Sequence, residues 1–389
     1  MIAWQVIFWF CCVAVFYNYA GYALFIWFWN KVFRPKHPAP DHAFTPSVSF
    51  IVAAFNEEDC IEKKILNSLQ QDYPADRIEY IFITDGSSDG TMDIIRRYPQ
   101  VRLLHRPERQ GKSAALNRAV NEAKNDILLF CDANTMLNPG ATRTIARHYS
   151  DARVGGVAGE KKVIAASDAD KEVGTGEGLY WKYESTLKRL DSDFYSVVGA
   201  AGELFSLRRS LYEPVPDRVV LDDFIISMRV AEQGYRIVYE PDAYAMELPS
   251  FSMGDEQKRK VRIAAGGFQA MTLLPSLLKV WKRPKLSFLY ISHRVLRGTL
   301  SPVSLILAFI ANAVLALGSD LPLYQVLMAG QLLFYGMALL ARVAPLKPFK
   351  LAYYFVFMNL SVVLGFFRFL RGKQPAAWEK AKRNREVTV

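Results

Sequence analysis

Three short polar stretches each follow closely on a run of apolar and β-branched residues: Asn56-Glu57-Glu58, Asp85-Gly86-Ser87-Ser88-Asp89 and Asp132-Ala133-Asn134. Oxygen-bearing side chains in such places can hold a divalent cation or hydrogen-bond a base or a ribose. Lys112, next to Gly111 at the opening of a helical pattern, adds a charge where a helix N-terminus already attracts phosphate. Further along come Asp222-Asp223 and the basic cluster Lys258-Arg259-Lys260-Val261-Arg262. Each has a plainer reading when taken alone. The 85–91 stretch is turn chemistry, Asp222-Asp223 is a helix cap, and 258–262 is a solvated or headgroup-facing stripe.

The elements that must position these groups alternate. Strands are expected over Pro46–Ala54, Glu79–Thr84, Val101–His105 and Asp126–Cys131. Helices are expected from Asn56-Glu57-Glu58, read as an N-cap with acidic first turn, to about Gln71, then over Met92–Tyr98, Gly111–Lys124 and Phe224–Gln233. Strand–helix alternation implies a doubly wound, mainly parallel sheet, which takes ligands at the carboxyl ends of its strands. Asn56, Asp85 and Asp132 all fall just past such ends. Neither a Gly-x-Gly-x-x-Gly fingerprint nor a complete P-loop is present. Cys60 and Cys131 stand singly and the five histidines are scattered, so neither a zinc site nor a nucleophile–histidine–acid triad is expected.

The rest of the chain is unlike this region. Of the 389 residues, 51% are hydrophobic and 22% charged. Trp4–Trp29 holds no charged residue and is longer than the ~20 apolar residues that cross a bilayer. Nothing basic precedes it, so it reads as an anchor and not as a cleaved signal. Further spans are expected near Phe288–Leu317, Leu321–Ala341 and Leu351–Leu370, and Phe268–Lys282 resembles an interfacial amphipathic helix. The resulting division is an anchor (1–33), a catalytic domain (34–267), the interfacial helix (268–285), C-terminal spans (286–371) and a basic tail (372–389).

Lys31, Arg34 and Lys36 put the polar domain on the cytoplasmic side, and Gly318-Ser319-Asp320 outside. Arg342, Lys347 and Lys350 return the next loop inside. A further crossing would then expel a tail holding Arg371, Lys373, Lys380, Lys382, Arg383 and Arg385, which the same rule wants inside. Either the rule fails here or one C-terminal segment lies in the interface without crossing.

The order of the motifs resembles the family 2 glycosyltransferases, in the membrane-integrated branch that includes cellulose, chitin, hyaluronan and poly-N-acetylglucosamine synthases. The resemblance rests on Ala54-Phe-Asn-Glu57, Asp85-Gly-Ser-Ser-Asp89, Gly111-Lys-Ser-Ala-Ala-Leu-Asn117, Asp132-Ala-Asn134, Gly199-Ala-Ala-Gly-Glu203, Asp222-Asp223 and Arg259-Lys-Val-Arg262. Trp378 to Arg383 is similar to the family's terminal segment. It implies a GT-A fold and inverting transfer from a nucleotide-diphosphate sugar, expected to be a UDP-sugar. Ala54, Phe55 and Glu57 would line the base pocket, and Asp85 would contact base or ribose. Lys112 would lie near the nucleotide, and Asp132 with Asn134 would hold Mg2+ or Mn2+. Asp223 would be the general base, and Arg262 would face the diphosphate. Glu203, Asp222 and Arg259 fall in the same substrate-binding blocks. A bacterial inner-membrane location is implied too.

Two departures bear on the product. Asn134 stands where the family usually has a second acid, and Ile263 where polymer synthases carry an acceptor-capping tryptophan. Trp181 is the alternative stacking residue, unless it only packs its helix. The expected acceptor is a polysaccharide; the alternative is one sugar added to a lipid or lipid-linked acceptor. A non-catalytic scaffold or transporter is the reading from another class. The net charge of +10 suits a membrane face and a diphosphate donor, and no nucleic-acid motif is present.

Overall fold

A computed structural model describes residues 1–35, 37–163, 168–247, 253–341, 343–344 and 346–372. The expectations placed on Lys36, Arg342 and the tail from Lys373, including Trp378–Arg383, lie outside the described residues. Among the described residues eight strands form one sheet: β1 (Val48–Ala54), β2 (Ile78–Asp85), β3 (Val101–Arg106), β4 (Ile127–Asp132), β5 (Met136–Leu137), β6 (Val154–Val163), β7 (Leu204–Arg208) and β8 (Arg236–Glu247). Their order is β3-β2-β1-β4-β7-β6-β8-β5. The first four are parallel, as their alternation with helices requires. Every residue of β1 is buried, as in a parallel strand covered on both faces.

The other half of the sheet is mixed. β7 runs against β4 and β6, β8 is parallel to β6, and β5 is antiparallel on β8. This reversal places functional groups. Ala54 pairs with Thr84, Ala53 with Asp132 and Cys131 with Leu204. The ends of β1, β2 and β4 therefore meet the start of β7, bringing Phe55, Asp85, Asp132 and Glu203 to one edge.

The helix expected from Asn56 starts later, at Ile61, and ends at Leu69. Asn56 is held in the left-handed region at φ 53°, which ends any helix there. Its Oδ1 accepts the Ser88 N–H at 2.9 Å, and its own N–H donates to Ser87 Oγ. The Glu57 N–H donates to Thr91 Oγ1, and Glu58 accepts the Gly90 N–H. The polar triplet laces the loops after β1 and β2 together instead of capping a helix. Asp222 and Asp223 likewise form the first turn of the Asp222–Glu232 helix, with Leu221 as its N-cap.

Among the described residues four helices are long and apolar enough to cross a membrane: Ile2–Phe33, Pro284–Gly318, Pro322–Leu340 and Pro348–Leu370. The first, at 32 residues, is about 48 Å long and exceeds the bilayer core. Its C-terminal part docks on the catalytic domain. Tyr22 and Ile26 are buried, Tyr22 OH donates to Asp191 Oδ1 at 2.6 Å, and Asn30 donates to the Leu190 carbonyl.

Phe268–Lys282 is not one interfacial helix. A helix runs over Met253–Leu273, then yields to a short 3-10 turn at Pro275–Leu278. Pro275 has no N–H and disfavours helical geometry at Leu274, which stands outside the helical region at φ −123° and ψ 51°. The Met253–Leu273 helix packs along the last helix, Lys347–Leu370. At Gly365 a Cβ would fall 2.5 Å from Ala264 Cβ, so only glycine permits this approach. Phe268 stacks on Phe369, with ring centroids 6.2 Å apart.

Candidate active site

A cleft opens at the carboxyl ends of β1 and β2, lined by Ala54, Phe55, Asp85, Arg109, Gly111 and Lys112 among others. Asp85 is buried, and its two carboxylate oxygens accept the N–H groups of Gln110 and Gly111, the latter at 2.6 Å. Arg118 Nη2 reaches Asp85 Oδ1 at 3.5 Å. The Arg109 guanidinium lies over the Phe55 ring, 3.7 Å from its centroid. A flat cation on a flat ring at a cleft mouth offers a surface on which a nucleobase can stack.

Beyond this cleft lies an acidic cluster built around one lysine. Lys112 Nζ sits 2.6 Å from Asp132 Oδ1 and 3.9 Å from Asp222 Oδ2. Gly202 closes the other side. A Cβ there would lie 3.2 Å from both Lys112 Nζ and Asp223 Oδ2, so the missing side chain leaves room between them. Burial works against the Lys112 ammonium, but Asp132, Asp222 and Asp223 outweigh it and raise its pKa. Burial raises Asp132, with Lys112 pulling it back. Burial, and then the neighbouring charge of Asp222, push Asp223 up to about 7.

Asp223 also borders a second and larger cavity of about 570 Å3 between the catalytic domain and the membrane helices. Trp181, Glu203 and Arg259 line it with Asp223. Its far wall is apolar and comes from the spans and the Lys347–Leu370 helix, through Leu351, Phe355, Met358 and Val362. On the domain side a chain of ion pairs borders it. Lys161 bonds Glu203 at 2.6 Å and pairs with Glu247; Arg259 bonds Glu256 at 3.1 Å; Lys260 lies 3.3 Å from Glu256. Burial opposes the charge of Glu203, but Lys161 outweighs it and holds Glu203 below the usual carboxylate range.

The sheet edge thus brings Ala54, Phe55, Asp85 and Lys112 into one cleft, and Trp181, Glu203, Asp223 and Arg259 into one cavity. Asp132 and Asp222 meet at Lys112 between them. Asn134, two residues past Asp132, is partly buried on the same turn. Two residues fall elsewhere. Glu57 is buried and accepts the Cys60 thiol, away from the lining of the base cleft. Arg262 is partly buried on the Met253–Leu273 helix but is not among the residues lining the cavity, where Arg259 and Lys260 are.

Sequence reasoning missed Arg109, Lys161, Lys188, Arg294 and Arg297. Arg109 had a signal in its closeness to Gly111-Lys112. Arg297 did not: it pairs with Glu184, which lies far away in sequence.

Residues 49–215 match the family model described as glycosyl transferase family 2. Over that stretch the chain is similar to the family 2 glycosyltransferases. That match begins on β1 and ends before Asp222-Asp223, so the larger cavity lies mostly beyond it. The poly-β-1,6-N-acetyl-D-glucosamine synthase of Staphylococcus aureus (strain MSSA476) is 28% identical over 231 residues, 58% of this chain and 55% of that protein. The same-named synthase of Staphylococcus epidermidis is 26% identical over 258 residues, 64% of this chain and 61% of its own. The chain thus spans little more than half the length of the curated relatives it matches. Mannosyltransferase PcManGT from Pyrobaculum calidifontis, solved with GDP-Man and Mn2+, superimposes with a TM-score of 0.74 at 25% identity. That alignment covers 95% of this chain and 99% of the other. The GT-A fold is shared throughout.

Proposed function

We propose that this protein is a family 2 glycosyltransferase that moves a sugar from a nucleoside-diphosphate donor to a hydroxyl of a membrane-held acceptor, inverting the anomeric centre. The observation that carries this reading is the position of Asp223, which borders the cavity while its carboxylate flanks Lys112 at the cleft. The donor lies in the cleft, its base against Phe55 and Arg109 and its ribose or base on Asp85. The acceptor lies in the cavity. The acceptor hydroxyl gives its proton to the Asp223 carboxylate, and its oxygen bonds to the anomeric carbon. The bond from that carbon to the diphosphate oxygen breaks, and its electron pair leaves with the nucleoside diphosphate. In-line attack with one base turns an α-linked donor into a β-linked product. A base with a pKa near 7 is suited to this at neutral pH.

Asp132 and Asn134 would hold Mg2+ or Mn2+. Among the described residues no three His, Cys, Asp or Glu form a cage for a metal. One carboxylate and one neutral amide fit an ion that takes its remaining ligands from substrate phosphates and water. Such an ion supplies charge neutralisation at the diphosphate. Lys112, already against Asp132, adds a second positive charge there, and Arg259 a third from the cavity side.

The apolar wall of the cavity favours a lipid-linked acceptor over a free glycan. Ile263, exposed at its rim where polymer synthases hold a tryptophan, points the same way. The domain would face the cytoplasm at a bacterial inner membrane. The test is nucleoside-diphosphate release by the purified full chain, using a panel of UDP- and GDP-sugars with Mg2+, Mn2+ or chelator. Anomeric NMR of the product accompanies it. Turnover with one donor, loss on chelation and a β-linked product support the reading. A retained α configuration, or no turnover with any donor, contradicts it.

A further inference from the structure

Lys188 lies on the face of the Asp168–Phe194 helix that also carries Trp181 and Glu184, three and four residues apart in turn. It lines the large cavity and is only 3% exposed. The other cations around that cavity have carboxylate partners: Lys161 has Glu203 and Glu247, Arg259 and Lys260 have Glu256, and Arg297 has Glu184. Lys188 has no ion pair or hydrogen bond among the described residues. Two ring faces lie near its ammonium, Trp181 at 5.6 Å and Tyr239 at 6.0 Å. The closest carboxylates are engaged elsewhere. Glu160 accepts from Tyr239 and Ser185, Glu203 is held by Lys161 and Glu184 by Arg297. Burial pulls the Lys188 ammonium below its ordinary pKa, against the pull of Glu160 and Glu203. A buried charge without a partner is costly, and such a charge facing a cavity is suited to a partner that arrives from outside.

Arg294 supplies a second, loosely held cation in the same cavity. It reaches Glu184 only at 3.6 Å, and its Nε makes no hydrogen bond. Lys188 and Arg294 line the same cavity, whose far wall is apolar.

We propose that Lys188 and Arg294 form an anion subsite in the acceptor cavity, and that the acceptor carries an oxyanion there, beside the hydroxyl that Asp223 activates. Two sources share this chemistry: the phosphate of a lipid carrier and the carboxylate of an acidic sugar. The subsite rests on the reading of this cavity as the acceptor site. It adds that a neutral acceptor is discriminated against by charge.

The test needs no turnover, so it can fail while catalysis stands, and stand while catalysis fails. The full chain in nanodiscs of neutral lipid is titrated with dodecyl phosphate, with trigalacturonate, and with dodecanol and maltotriose as neutral counterparts. Thermal unfolding is followed. One oxyanion probe should raise Tm where its neutral counterpart does not, and which probe does so names the source. Lys188→Met should weaken that probe roughly tenfold or more, while Lys188→Arg restores part of the effect. Lys285→Met, at an exposed lysine outside the cavity, should leave it unchanged. Arg294→Gln tests the subsite independently should Lys188→Met fail to fold. Equal shifts from charged and neutral probes overturn the proposal, as does unaltered oxyanion binding in both Lys188→Met and Arg294→Gln.

Discussion

Asp223 shows how burial and charge together shift the proton affinity of one residue. Its ordinary carboxyl value is 3.8, and the site moves it to about 7. The same shift sets the pH dependence of stability. The folded protein holds the Asp223 proton more tightly than the unfolded chain does. The stabilisation is therefore fully present below pH ~4 and is lost as pH rises through about 7. Asp223→Asn removes that titration. Between pH 4 and 8 the thermal stability of wild type should decline relative to that of Asp223→Asn. Activity runs the other way, since kcat/KM should fall as pH drops below about 7 and the base is protonated. Parallel Tm curves for the two proteins over that range would show that Asp223 is not shifted.

The polar motifs position the site as elements, by fastening loops to one another. Asn56 is the clearest case. It adopts a left-handed conformation and bridges to the loop after β2 through Ser87 and Ser88. Asn56→Ala should lose about 2–4 kcal/mol, from left-handed strain and one lost hydrogen bond. Asn56→Gly keeps the conformation and should lose only about 1 kcal/mol. Chemical denaturation measures both, and equal losses would mean that the conformation does not matter. From the sequence, the Asn56 triplet looked like a helix cap because the residue types for capping and for loop bridging are the same. The four parallel strands were legible, because uninterrupted β-branched runs have few other readings. Likewise Asp85, Lys112, Asp132 and Asp223 could be singled out because each sits at a strand end or helix start. The ion pairs of Lys161 with Glu247 and Arg297 with Glu184 were not legible. They join elements distant in sequence, and no local pattern marks them. The break after Leu273 could have been read from Pro275, but the amphipathic pattern of 268–282 runs straight across it.

At the scale of the molecule, the catalytic domain and the membrane helices share one cavity, and this bears on the topology. Gly318 lies beside Met1, so the loop after the second long helix shares an end with the N-terminus, away from the domain. The Lys347–Leu370 helix behaves differently. Its residues from Leu351 to Val362 line the cavity, and Gly365, Phe366 and Phe369 pack on the Met253–Leu273 helix of the domain. Contact with the domain along this length predicts that this helix, though long and apolar enough to cross, lies at the membrane face, which accommodates the basic residues that follow it. Single cysteines read this out with a membrane-impermeant maleimide. Arg371→Cys should label from the same side as Arg97→Cys in the domain, and Asp320→Cys from the other. Labelling of Arg371→Cys together with Asp320→Cys would mean that the last helix crosses.

The cleft and the cavity meet at Asp223, and the account stands on that junction. Nucleoside-diphosphate release by Asp223→Asn, in the full chain with its donor and acceptor, tests it most directly. Turnover should fall by roughly 100- to 10,000-fold with donor affinity unchanged. Turnover within twofold of wild type would contradict the account.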